Sequence, residues 1–412
     1  VSVSEHVPSL SSEFVSTPSG YRALRAQAPL VQVTLADVDT PMWLVTRYEV
    51  LKAILVDPRF VRDATKLSGQ EGPSIADQMV AAYGLPPEYR GYIGTLVLSD
   101  GPDHTRMRGL ITRAFTARRV EALRPVLRRV TRELLEPLSA KGEAELLEEF
   151  SYPLASTAVC ELLGIAEVDQ PRVKAGIMDA ISGDPERLVP AFKGMVEHCK
   201  SLIESRRRSP QDDLVSALLR VSEEESDFGE TQIIAIVALL INTGIMPPAH
   251  FIADAALALL DHPGQLARLR GEPGLLGTRA VPELLRFTSS VPVGAPMYAT
   301  EDVELAGVRI TRGEVVVPGL LAANHDPGEY SDDAPRLDVG RELLGSGVGH
   351  MAFGHGPHYC IGAALGRIQA EVVLDELFLQ GRDPKLAVHR DALEFVARPG
   401  DGMHLKALPV RF

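Results

Sequence analysis

Phe353-Gly354-His355-Gly356-Pro357-His358-Tyr359-Cys360-Ile361-Gly362 is the stretch on which the reading of this 412-residue chain turns. Glycines on both sides of the cysteine let the backbone turn tightly and let a flat ligand come close. An apolar periodic run, AALGRIQAEVVLDELFL, follows at once and predicts a helix. Cys360 therefore stands at a helix start, where backbone N–H groups favour negative charge and stabilise a thiolate. Taken alone, the stretch could also be a glycine-rich turn around a buried cysteine.

Working outward, the other two cysteines, Cys160 and Cys199, sit in helical-looking runs and read as buried fillers. Three widely spaced cysteines suggest neither a disulfide framework nor a zinc cluster. The formal charge of −13 makes nucleic acid a poor partner. With 45 % apolar residues the chain can bury a large core. No leader peptide is visible at VSVSEHVPSLSSEF, so the expected location is cytoplasmic. The apolar stretch 233–260 carries Asn242, Pro247, Pro248, His250 and Asp254, too many polar or helix-breaking groups for a comfortable membrane span. A long helix through a globule is predicted there instead.

The pattern along the chain is mostly helical from His104 to about Leu260, with strand-like patches near both ends, such as VTL, WLV, VPVGAPMYAT, VELAGVRI and GEVVVPGLL. Helices are predicted over 50–55 and 281–287. The order fits a mixed α+β chain rather than alternating βαβ units.

FGHGPHYCIG resembles the heme-ligand loop of the cytochrome P450 family, Phe-x-x-Gly-x-x-x-Cys-x-Gly. Other segments agree in the right order. Glu283-Leu284-Leu285-Arg286 resembles the family's Glu-x-x-Arg helix, and Pro335-Arg336-Leu337-Asp338 the segment whose arginine, here Arg336, completes that ion cluster. Asp103-His104-Thr105-Arg106-Met107-Arg108 resembles the helix that reaches the heme propionates. His104 and Arg108, four residues apart, can face one carboxylate pair, and His355 matches a third propionate partner. The resemblance covers nearly the whole chain, from about Val31 onward. It implies a single cytochrome P450 domain over 1–412, with 1–20 as an N-terminal extension. The fold would be a mostly helical α+β structure with small β-sheets, holding heme between the central helix and the Cys-loop helix. The cofactor would be heme b (iron protoporphyrin IX), bound through Phe353, Gly354, Cys360 and Gly362 as well as the propionate partners. Cys360 would be the iron ligand, since a lone thiolate on iron favours O–O cleavage. Molecular oxygen, a small-molecule substrate, and electrons from a ferredoxin-type donor with its reductase complete the expectation. Neither membrane nor nucleic acid is expected as a partner, and the chain is expected to be a monomer. A non-catalytic partner protein is the opposing reading, and the intact Cys360 loop argues against it.

Two positions depart from the family. Its Ala/Gly-Gly-x-Glu/Asp-Thr-Thr/Ser segment falls on Thr243-Gly244-Ile245-Met246-Pro247-Pro248. Met246 replaces the acid and Pro247 the alcohol, groups that in the family help deliver protons during oxygen activation. Neither Met nor Pro can relay a proton. The prolines also remove the i+4 donors to the carbonyls of Thr243 and Gly244, predicting a kink. The substitution raises the share of oxidations without oxygen insertion, such as coupling, desaturation or rearrangement; peroxide-driven chemistry, which needs no electron partner, is a third reading. Met297 stands where the family usually has a propionate-pairing arginine. Substrate-contacting segments correspond roughly to 78–98 and 178–193, with Tyr83, Tyr89, Tyr92, Ile93 and Leu96 as candidate lining residues. Arg106, Arg113, Arg118 and Arg119 are candidates for a basic docking face for the electron donor.

Overall fold

Apolar residues three and four apart in the middle of the chain become long helices: α1 (Gly101–Ala114), α2 (Tyr152–Leu163), α3 (Gln170–Ala180), α4 (Pro185–Arg208) and α5 (Glu230–Asp261). The structure is a computed structural model that describes residues 8–35, 38–67, 81, 84–92, 96–180, 184–225, 228–342, 349–398 and 402–412. By their contacts the residues fall into two compact units, one of Val1–Gln70, His250–Ala363 and Leu377–Arg411, the other of Glu71–Ala249, Ala364–Glu376 and Phe412. Neither unit is a continuous segment, so no linker in the sequence could have marked them.

The second unit is helical. α2 buries Leu154, Ala155, Ala158, Val159, Leu162 and Leu163, a near-continuous apolar surface suited to the middle of a helical layer. Cys160 and Cys199 are fully buried, and burial pushes both thiols up to about 12. They are packing residues, as the sequence suggested. Glu376 is buried in the same unit and is held by Arg128 and Arg132.

The first unit carries a six-stranded sheet. Its strands are β1 (Ser9–Leu10), β2 (Leu30–Leu35), β3 (Val38–Val45), β4 (Phe60–Val61), β5 (Met297–Ala299) and β6 (Val315–Pro318), in the order β1-β2-β3-β6-β5-β4. Strands β2 and β3 form an antiparallel pair, whereas β6 lies parallel to β3, Met42 opposite Val315. Val45, Leu51, Ile54, Met297, Val316 and Leu320 are among the residues that pack the core on this sheet. Met297, at the position of the family arginine, is thus a core side chain of β5. Residues 1–20 were expected as an extension, yet Ser9 and Leu10 pair in parallel with Thr34 and Leu35, and Leu10 and Val15 are buried. The described part of that segment belongs to the unit's packing. A hairpin of β7 (Phe395–Arg398) and β8 (Gly402–Leu405) pairs Val396 with His404.

The predicted kink is not a break. Helix α5 is assigned without interruption through Pro247 and Pro248. Two prolines delete only two N–H donors, while buried Ile245, Ala249, His250, Phe251 and Ile252 hold the segment by packing on either side. By length and composition α5 could cross a membrane, but 61 % of its most apolar stretch is buried inside the protein. That matches the core helix read from its sequence.

Candidate active site

The cysteine loop is built before its thiol is presented. Gly354 and Gly356 both adopt φ of +70°, a conformation costly for any residue with a Cβ. At Gly356 a Cβ would also fall 2.7 Å from Val56 and 2.9 Å from the carbonyl of Leu55, so only glycine fits. The Gly354 amide donates to Met351 O at 2.8 Å, and the Cys360 amide donates to Phe353 O at 2.9 Å. Ala363 N then donates to Cys360 O at 3.3 Å as the chain enters α6 (Ala363–Leu374). Unlike the other two cysteines, Cys360 is exposed. A side chain at Gly362 would stand 3.7 Å from the Cys360 sulfur, so glycine keeps that flank open. Phe353 and Ile361 leave apolar surface accessible beside it. An exposed thiol flanked by a glycine and by partly exposed apolar residues suits a planar metal macrocycle.

The loop hangs from a buried polar network. On the helix Val281–Thr288, Glu283 and Arg286 are fully buried and form a bidentate pair, 2.7 and 2.8 Å long. Arg286 also donates to the carbonyls of Asn324 (2.7 Å), Ala334 (2.9 Å) and Arg336 (3.1 Å), so all five guanidinium N–H groups are used. Its plane lies 5.0 Å from the Tyr330 ring centroid. Asn324 in turn donates to Ser289 Oγ and accepts from the Met351 amide, both at 2.6 Å, and Tyr330 donates to Gly349 O at 2.8 Å. The network therefore ends on the residues that lead into Phe353.

One assignment within it is corrected. Arg336 does not pair with Glu283: its side chain is 82 % exposed and reaches Asp333 at 3.4 Å. Only its carbonyl enters the network. The second cation on Glu283 is Arg341, whose Nε donates to Glu283 Oε1 at 3.1 Å, joined by the Asp338 amide at 3.0 Å. A turn after Pro335 aims the carbonyl inward and the side chain outward. Spacing from a motif does not report which of the two a residue contributes.

His355 is partly buried in the loop, and Phe353 packs 6.3 Å from the Tyr359 ring. His104 and Arg108 lie on α1 in the second unit, His104 buried and Arg108 partly so. Thr243 on α5 is exposed and donates its hydroxyl to Leu239 O at 2.7 Å, while Gly244, Met246 and Pro247 are partly buried. A Cβ on Gly244 would meet Val159 at 2.8 Å, so the glycine allows close packing on α2. Of the docking candidates, Arg113 pairs with Glu224 and Glu225, and Arg119 with Asp212 at 3.1 Å. Tyr83 and Ile93 lie outside the described residues, as does much of 78–98. Tyr89 packs edge-on against Phe192 of α4 at 5.8 Å, with Tyr92 at 6.3 Å from Tyr89. Leu96 is buried.

Sequence reasoning passed over a cluster one turn beyond Pro247. His250 and Asp254, four residues apart on α5, meet β8 and the end of the Val281–Thr288 helix. The His250 and His404 rings are 4.4 Å apart, and Ser290 Oγ donates to Asp254 Oδ2 at 3.2 Å. Burial pushes the Asp254 carboxyl up to about 6, against the pull of His404 and the Ser290 hydrogen bond. The i, i+4 spacing of His250 and Asp254 was the available signal.

The family model "Cytochrome P450" matches residues 275–380, which hold both the Glu-x-x-Arg helix and the cysteine loop. The chain is 38 % identical to cytochrome P450 107B1 of Saccharopolyspora erythraea, over 90 % of this chain and 89 % of that one. It is 36 % identical to 6-deoxyerythronolide B hydroxylase of the same organism, over 92 % and 91 %. Among solved structures, the ligand-free P450 monooxygenase TamI superposes with a TM-score of 0.85 at 32 % identity, covering 99 % of this chain and 94 % of that one.

Proposed function

The chain belongs to the cytochrome P450 family, and on that premise we propose that it is a heme–thiolate monooxygenase-type enzyme, with Cys360 as the iron ligand, that tailors a small natural product. The exposed thiol of Cys360 carries the assignment, set against two cysteines whose burial keeps them protonated. The bound heme, which we take as heme b, supplies oxygen activation, with the thiolate donating electron density to the iron. Around it, Gly354 and Gly356 fix the loop, Gly362 clears the face of the sulfur, and Phe353 lends apolar surface. His355, together with His104 and Arg108 of the second unit, is assigned to the propionates. Relatives include 6-deoxyerythronolide B hydroxylase, mycinamicin IV hydroxylase/epoxidase and the polyketide biosynthesis cytochrome P450 PksS, which supports a polyketide-type natural product as substrate. A ferredoxin-type donor with its reductase would supply electrons in the cytoplasm to a monomeric enzyme formed by the whole chain, 1–412.

The test is spectroscopic. Cys360→Ala should lose the thiolate-type reduced-CO band, while Cys160→Ala and Cys199→Ala keep it. An unchanged band in the Cys360 variant overturns the assignment.

Met246 and Pro247 support a second reading, oxidation without oxygen insertion, because the usual acid and alcohol are both gone. Labelled molecular oxygen decides between them: label in the product requires insertion.

A further inference from the structure

Among the described residues the hairpin of β7 and β8 pairs with no other strand. A two-stranded hairpin is marginal in water by itself, so this one depends on what it docks against. Strand β7 contributes little, with Phe395 and Val396 43 % and 41 % exposed. Strand β8 is the docked one, and Gly402, His404 and Leu405 are buried. A Cβ on Gly402 would fall 2.9 Å from Pro292, so the strand lies close against that residue. The Met403 amide donates to Ser16 Oγ at 2.6 Å.

The remainder of the dock is titratable. The buried rings of His404 and His250 lie 4.4 Å apart, which joins β8 to α5. One turn further along α5, Asp254 accepts from Ser290 Oγ at 3.2 Å and is acted on by the charge of His404. Three titratable groups and a hydroxyl from three chain segments thus meet where a weak element is held. An apolar contact would hold the hairpin equally at every pH, and this contact cannot.

The other charges on the surrounding elements have partners of their own or face away. Asp261 of α5 pairs with Arg390 at 2.8 Å, and Lys406, after β8, pairs with Glu394 at 2.7 Å. Glu283 and Arg286, on the helix before Ser290, bind each other. Glu13, on the short helix Ser12–Val15 that packs against β8, is exposed. Among the described residues the charge that acts on Asp254 is therefore that of His404.

We propose that the β7–β8 hairpin is a pH-governed latch, docked on α5 through His250, Asp254, Ser290 and His404 and loosened as that cluster loses protons. Released, the Asp254 carboxyl faces water, where such a group titrates near 4. Docked, burial raises it to about 6. The docked state binds the proton more tightly, so docking is at full strength below about pH 4 and is lost as pH rises through 6. The full span is about a hundredfold in the opening equilibrium, of which about tenfold falls between pH 5 and pH 7.5. His404 limits the loss, because its positive charge favours the Asp254 anion. Release also frees Ser16 from the Met403 amide, which ties the N-terminal segment to the same switch.

Amide hydrogen exchange on the full-length, heme-loaded protein tests the latch, with rates corrected for the intrinsic pH dependence of exchange. In the parent, opening of the peptides that cover β7 and β8 should rise about tenfold from pH 5 to pH 7.5, while peptides of the Val281–Thr288 helix keep theirs. Asp254→Asn should flatten the hairpin profile to within twofold. His404→Phe keeps a ring against His250 but removes the charge, and should steepen the rise. A flat hairpin profile in the parent overturns the latch, and that reading needs no variant to fold. An equal rise in all peptides overturns it too, since it marks global unfolding rather than release. So does a rise that persists unchanged in Asp254→Asn.

Discussion

Two regions treat buried polarity in opposite ways. Around Arg286 every guanidinium proton has a partner, and the network runs on through Asn324 to the Met351 amide. Around His198 a buried ring nitrogen has none among the described residues, beside two helical glycines that leave a gap. The first arrangement specifies a unique packing, because removing any member strands another. The second leaves a polar atom with no protein group depending on it, so removing it strands nothing. A saturated network is read as scaffold, and an unsaturated group as one on which the fold does not depend.

The comparison breaks most visibly at Arg286. Arg286→Ala leaves Glu283 buried with Arg341 as its one side-chain cation, and should cost roughly 3–5 kcal/mol in a urea melt, with heme loss following. Arg341→Ala should destabilise clearly, whereas Arg336→Ala should stay within about 0.5 kcal/mol, as a surface change. Equal effects at 336 and 341 would restore the motif-based assignment.

An intermediate case is Asp254, which has partners but too few for a charge. Its carboxyl is raised to about 6 in the fold, so the stability it contributes is fully present below about pH 4 and is lost as pH rises through 6. The charge it then carries is opposed by burial and favoured by His404 and the Ser290 hydrogen bond, with His250 on the same helix. The stability of Asp254→Asn relative to the parent should therefore grow between pH 4 and pH 7.5, by up to about 3 kcal/mol. A pH-independent difference would mean that the carboxylate is fully compensated.

The smallest effect belongs to His198. His198→Phe removes an unpaired polar atom, so stability should stay within about 1 kcal/mol of the parent or rise slightly. A loss of 2 kcal/mol or more would show that His198 belongs to the scaffold, and the contrast with Arg286 would fail.

The cysteine loop was legible because its chemistry lies in consecutive residues: glycines that only a turn explains, then a cysteine at a helix start. The Glu283–Arg286 pair was legible for the same reason, being three apart on one helix. Arg341 was not, since the choice between it and Arg336 depends on which way a turn points its side chains. Helix α5 was placed correctly, and it runs on through Pro247 and Pro248 because packing, which local proline rules omit, holds it on both sides. Strands β2, β3, β5 and β6 were found by their β-branched runs, whereas β1, β4 and the β7–β8 hairpin were not. The parallel pairing of β3 with β6, some 270 residues apart, has no local signal. Gly176 and Gly194 look like ordinary weak points in a helical pattern until the space beside them is seen.

The tether from Arg286 through Asn324 to Met351 has one further consequence. Because the loop's entry is pinned by the protein's own groups and its glycines fix the turn, the conformational entropy of ordering Phe353 to Cys360 is lost as the chain folds. Capture of the cofactor then meets a rigid receptor and has little left to immobilise. The loop is a pre-set jaw, and its order is inherited from the buried Glu283–Arg286 pair.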